Sequence, residues 1–136
     1  PRPRYICALG IPWRPTSIWT GRGREEPAGR LEQLLAGVRL PRDHLLLIAP
    51  PPLARGAWVR DAALIGASRA FARCCRTLAE RLGIHFADAG AWVVPLAYDG
   101  VHFTEQGHRA FAAGLLGALG RGAPASDNGF QKGRAE

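Results

Sequence analysis

The chain contains no methionine, a single lysine and a single asparagine. That asparagine, Asn128, stands in a tract of Gly, Pro, Ser and Asp near the carboxyl end. Long apolar runs are absent as well. The longest uncharged one, residues 45–53, is interrupted by Pro50, Pro51 and Pro52. A helix that crosses a membrane needs roughly 20 apolar residues, so none is expected. No charged-then-apolar leader precedes a cleavage site, because the chain opens directly on Pro1-Arg2-Pro3-Arg4. With neither leader nor span, the expected compartment is the cytoplasm. The cysteines, Cys7, Cys74 and Cys75, are odd in number and lack metal-ligand spacing. Adjacent Cys74 and Cys75 do not readily bridge each other, so reduced, mostly buried thiols are expected. Gly21-Arg22-Gly23 is not followed by the rest of a glycine fingerprint, and no cofactor is expected.

Against these absences stands a composition that can fold. Apolar residues make up 47% of the 136, enough for one packed domain and too little chain for two. The formal net charge is +7, from 17 arginines and one lysine. An excess of this size can favour acidic partners. The arginines are scattered along helix faces and loops, with no aromatic stacking platform beside them, so they read as solvated faces. Neither a nucleic acid nor a membrane is expected as partner.

Along the chain, residues 5–9 form a short apolar run that suits a buried strand. Residues 11–24 hold Pro12, Pro15, Gly21 and Gly23 and read as a loop. Pro27 and the acidic pair Glu25-Glu26 suit a first helical turn. Leu31, Leu34, Leu35 and Val38 repeat at helical spacing behind them, predicting a helix over 26–38. Residues 45–49 are a continuous apolar run, as expected of a strand covered on both faces and stopped by the prolines that follow. Asp61 can cap a long helix with a stripe of Leu64, Phe71, Cys74 or Cys75, Leu78 and Leu82, which Gly83 can end. Residues 84–87 are a third strand candidate. Thr104 can cap a last helix whose inner face carries His108, Phe111, Leu115 and Leu119. The domain is expected over 1–120, with 121–136 a disordered tail. Strand–helix alternation of this kind argues for a parallel sheet overlaid with helices. Chemistry then belongs at the edge where the strands end, which directs attention to residues 89–103.

That stretch closes on Tyr98-Asp99-Gly100-Val101-His102-Phe103-Thr104. A carboxylate and an imidazole three residues apart on a turn can meet, with Gly100 freeing the backbone between them. Asp99 would hold the Nδ1 proton and leave Nε2 as a general base near neutral pH. Spacing alone leaves a second reading open, in which the aspartate caps and the histidine packs. A metal site from Asp99, His102 and His108 is a remote third. His108, one helical step from Phe111, reads as a packed structural histidine, and Asp88 as a strand-ending residue that bonds the loop backbone. Trp58, Trp92 and Phe103 could line a pocket or simply pack.

Asp99-Gly100-Val101-His102-Phe103-Thr104, followed by Gly107-His108, resembles the closing Asp-x-x-His block of the SGNH (GDSL-type) serine hydrolases. The strand running into Ala49-Pro50-Pro51-Pro52-Leu53 is similar to a segment of the bacterial arylesterase-like members. So is Leu78-Ala79-Glu80-Arg81-Leu82-Gly83-Ile84-His85-Phe86-Ala87-Asp88-Ala89-Gly90, and together the likeness covers about residues 45–119. It implies a three-layer αβα sandwich on a parallel, flavodoxin-like sheet, incomplete at the amino terminus. It further implies a carboxylic ester substrate, with Asp99 the acid and His102 the base of a Ser-His-Asp triad performing hydrolysis or acyl transfer.

Two parts of that family pattern are missing. No Gly-Asp-Ser occurs, and Ser17, Ser68 and Ser126 all sit in unsuitable contexts. Leu9-Gly10-Ile11-Pro12 falls where the family's Gly-x-Asn turn belongs, yet it holds no asparagine. Losing one oxyanion donor typically costs on the order of 10² to 10³ in rate. The expectation is therefore a serine-esterase-type chain that is inactive as written: truncated, altered across residues 11–24, or decayed. A sheet lacking its first strands would expose an edge and favour self-association. The contrasting expectation is a noncatalytic basic α/β module for an anionic partner, whose binding would weaken steeply with salt.

Overall fold

The structure is a computed structural model that describes residues 6–9 and 25–121. The expected loop over 11–24, the turn around Gly10 and the tail beyond Arg121 lie outside the described residues, as do Ser17 and Ser126.

Among the described residues three strands and three α-helices alternate as β1 (Ile6–Leu9), α1 (Glu25–Ala36), β2 (Leu45–Ala49), α2 (Ala62–Leu82), β3 (His85–Asp88) and α3 (Glu105–Arg121). The sheet order is β1-β2-β3, and both pairings are parallel. Leu46 faces Cys7 on one side and His85 on the other, which places β2 in the centre. All five residues of β2 are buried. Because side chains alternate along a strand, they divide between two layers. Leu45, Leu47 and Ala49 join Leu35 of α1 and Phe71, Cys75, Leu78 and Ala79 of α2 in one core. Leu46 and Ile48 join Ala87, Ala89 and Ala118 of α3 in the other. This is an αβα arrangement, and the uninterrupted apolar run of β2 is its direct cause.

Helix α2 begins where the Asp61 carboxylate accepts the Ala63 N–H at 2.8 Å. It ends at Gly83, whose φ of 65° is the left-handed conformation that favours glycine. Cys75 is the buried cysteine of the pair and Cys74 is half-buried; both are free thiols. Burial pushes the Cys75 thiol up to about 12. Helix α1 corrects its expected stripe: Leu35 is buried, but Leu34 is 62% exposed. Leu31 and Val38 pack against the same core as Leu35, so Leu34 alone of the four turns away from it. Ion pairs lie outside the cores, with Arg81 of α2 reaching Glu32 of α1 at 2.8 Å and Arg109 reaching Glu105 at 2.6 Å.

Candidate active site

The segment after β3 folds back on itself before α3 starts. Asp88, the last strand residue, accepts the Gly90 N–H at 2.9 Å and opens a short 3-10 turn over Ala89–Trp92. Leu96 then bridges antiparallel to Phe103, and the Ala97 N–H donates to the His102 carbonyl at 2.6 Å. The Gly100 N–H donates to the Ala97 carbonyl at 3.0 Å, closing a tight turn over residues 97–100. Thr104 completes the frame: its hydroxyl accepts the Gly107 N–H at 3.0 Å and donates to the Pro95 carbonyl at 3.3 Å. The hairpin thus runs straight into α3 and presents Asp99 and His102 at its tip.

Gly100 has a φ of 83°, and a Cβ there would collide with the carbonyl oxygen of Ala54. Any other residue would be strained at this position. The turn is also gripped from outside by the loop that leaves β2. Ala54 donates its N–H to the Gly100 carbonyl at 3.0 Å, Ala57 to that of Tyr98 at 3.0 Å, and Trp58 to that of Asp99 at 3.1 Å. Gly56 lies so close that a Cβ would run into the backbone of Asp99 and Gly100. Ser68 of α2 anchors the same loop at its other end. Its buried hydroxyl accepts the Leu53 N–H at 3.0 Å and donates to the Ile65 carbonyl at 2.8 Å. That side chain serves loop and helix backbone, and its proton is already committed to Ile65.

Within this frame Asp99 is 6% exposed and fully engaged. Oδ1 accepts the N–H groups of Val101 at 2.8 Å and His102 at 3.0 Å, and Oδ2 faces His102 Nδ1 at 2.6 Å. The two backbone N–H groups, first that of His102 and then that of Val101, hold the carboxyl down at about 2, with the imidazole adding to them. Asp99 is therefore ionised at neutral pH and can only accept, so Nδ1 must carry the proton. The His102 side chain is half exposed, and among the described residues Nε2 has no hydrogen-bond partner. An imidazole so arranged can take up a proton at Nε2 while its cation is held against a carboxylate. Trp58 stands edge-on to the same ring, with centroids 5.4 Å apart at 79°.

The other residues singled out from the sequence separate from this pair. His108 is exposed on α3, its ring edge-on to Phe103 at 5.3 Å. The expected packed histidine is thus a surface residue, because the helix turns Gly107 inward instead, against the Pro95 carbonyl. Trp92 packs on Phe111 at 5.1 Å and fills the space above Gly114. Phe103 also contacts Phe111, so both aromatics belong to the seam between loop and α3. Of the three aromatic candidates, Trp58 alone touches the Asp99–His102 pair. A cleft of about 310 Å³ lies along β3, lined by Leu46, Arg76, His85, Phe86, Asp88 and Trp92 among others, and does not include the pair. Among the described residues no three His, Cys, Asp or Glu side chains gather as a metal site would require, and no helix is long and apolar enough to cross a membrane.

No protein-family model and no curated protein matches the chain. Solved structures do. The aryl esterase of M. smegmatis superposes with a TM-score of 0.72 at 21% identity, covering 87% of this chain and 60% of its own. Est24, a carbohydrate acetylesterase from Sinorhizobium meliloti, gives 0.63 at 19% identity, with 85% and 60% covered. A carbohydrate acetylesterase family member from the same organism gives 0.57 at 26% identity, with 71% and 50% covered. The chain thus spans about 60% of the length of the first two. In its αβα fold, the chain is similar to these esterases, which are of the SGNH type.

Proposed function

We propose that the chain is built for carboxylic ester chemistry of the Ser-His-Asp kind, with Asp99 as the acid and His102 as the base. The single observation that carries this reading is the 2.6 Å contact between Oδ2 of Asp99 and Nδ1 of His102. The second carboxylate oxygen is saturated by two N–H groups, so the anion can neither rotate away nor readily take up a proton. The imidazole is thereby fixed in the tautomer that leaves Nε2 as the acceptor for a serine proton. After acyl transfer the same nitrogen would return the proton to the leaving alcohol. The esterase names of the structural neighbours support an ester as the substrate class.

Among the described residues no serine is placed to act as the nucleophile. Ser68 is the only serine among them, and its buried hydroxyl is engaged as donor and acceptor. We therefore expect no turnover of p-nitrophenyl acetate above background by the chain as it stands. A version preceded by a strand and turn bearing Gly-Asp-Ser is expected to hydrolyse that ester. His102→Ala in that version is expected to lower kcat/KM by about 10²- to 10⁴-fold, the usual contribution of a positioned general base. Hydrolysis at an undiminished rate in His102→Ala would overturn the assignment.

A further inference from the structure

A hydrogen bond at Nδ1 fixes one end of an imidazole and leaves the rest of the ring free to tilt. His102 is half exposed, so the core does little to restrain it. A second restraint comes from far earlier in the chain, where the Trp58 ring stands edge-on to the imidazole at 5.4 Å, a favourable aromatic geometry. The indole is held by the backbone that also carries the carboxylate. The Trp58 backbone N–H donates to the Asp99 carbonyl, and the Ala57 N–H donates to that of Tyr98. The following residue, Val59, is 1% exposed and anchors the loop in the interior. Gly56 and Val59 exchange backbone hydrogen bonds of 3.1 and 3.2 Å, and Arg60 Nε donates to the Ala57 carbonyl at 3.3 Å. A loop so closed gives Trp58 a defined place although the residue is 55% exposed.

We infer that Trp58 is a positioning residue for the Asp99–His102 pair, its indole walling the imidazole into the orientation in which Nδ1 meets the carboxylate and Nε2 faces outward. This role rests on the proton-relay reading of the pair. It also explains why a large apolar side chain is left at the surface there: its contact is with the imidazole, while the anchoring is done by Val59 and by backbone. Functional side chains perform only when neighbours lock their orientation.

Proton NMR of the full chain with ¹⁵N-labelled imidazoles separates the two ideas. A proton in a short Nδ1–carboxylate bond lies far downfield and exchanges slowly with water. The wild-type chain is expected to show it, and Asp99→Asn to lose it. Its absence from wild type, or its persistence in Asp99→Asn, would overturn the pair itself and Trp58's role with it. Trp58→Ala is expected to keep the thermal midpoint within a few degrees while the Nδ1 proton exchanges at least ten times faster. Trp58→Phe is expected to restore slow exchange. Wild-type exchange in Trp58→Ala, with the signal lost in Asp99→Asn, would overturn the positioning role and leave the pair standing. Should Trp58→Ala fail to fold, Trp58→Gln is read by the same criteria.

Discussion

Two aspartate–histidine pairs in this chain have the same composition and the same separation. His85 and Asp88 stand three residues apart, as do Asp99 and His102. The first pair lies on β3, where residues of opposite parity point to opposite sides. Its members go separate ways. His85 places Nε2 3.1 Å from the Asp43 carbonyl, and Asp88 caps the next turn through Gly90, with Arg76 at 3.9 Å. The second pair lies on a turn hinged at Gly100, and its members meet at 2.6 Å. Residue types set what chemistry is available. Backbone conformation decides whether the groups come together, and the loop over residues 54–59 holds that conformation in place.

Charge removal in the Gly-Asp-Ser-bearing version separates the two pairs most strongly. Asp99→Asn is expected to cost about 10⁴-fold in kcat, because an amide would stabilise the wrong imidazole tautomer. Asp88→Asn, touching no part of the relay, is expected to change the rate by less than about threefold. Equal losses would erase the distinction. Backbone changes come next. Gly100→Ala imposes a strained φ and a clash with the Ala54 carbonyl, and we expect it to lose about 2–4 kcal/mol in urea unfolding. A Cβ on Gly90, near the other pair, meets only the Asp88 carboxylate oxygen at 2.9 Å and a proline ring carbon at 3.2 Å. Gly90→Ala should therefore cost about 1 kcal/mol or less. A milder Gly100→Ala would show that the hinge is not needed.

The smallest effect is in acid. The Asp99 carboxyl is held at about 2 in the fold, below its ordinary 3.8. A depressed carboxyl adds stability above the unfolded value, and that stability disappears as pH falls from about 4 towards 2. Asp99→Asn should flatten this part of the stability profile. An unchanged profile would mean that the carboxylate is not specially held.

Much of this architecture was legible in the residues. Five consecutive apolar positions stopped by three prolines suit a strand covered on both faces, and Asp61 and Gly83 mark both ends of α2 by elementary capping chemistry. Asp99, Gly100 and His102 were legible as candidates, since a glycine between an acid and a base is what a tight turn needs. What could not be read is long-range. The grip of residues 54–58 on the turn is made by backbone groups, which every residue carries, so no side-chain pattern announces it. Gly56 looks like any loop glycine until another backbone is found against it. Trp58, Trp92 and Phe103 were indistinguishable by type, and the fold assigned one to the imidazole and two to α3. His108 misled because helical spacing to Phe111 is only approximate evidence of a shared face. Gly107, without a side chain, is the residue that fits the inward position.

The imidazole tautomers report whether backbone conformation gives these two similar-looking pairs different chemistry. A carbonyl can only accept, so Nε2 of His85 must carry the proton that bonds Asp43, whereas the Asp99 carboxylate places the proton of His102 on Nδ1. Imidazole ¹⁵N shifts of the neutral rings, assigned by His85→Gln and His102→Gln, should show a protonated Nε2 in His85 and a protonated Nδ1 in His102. A proton on Nε2 in both rings would show that Asp99 does not hold the His102 tautomer.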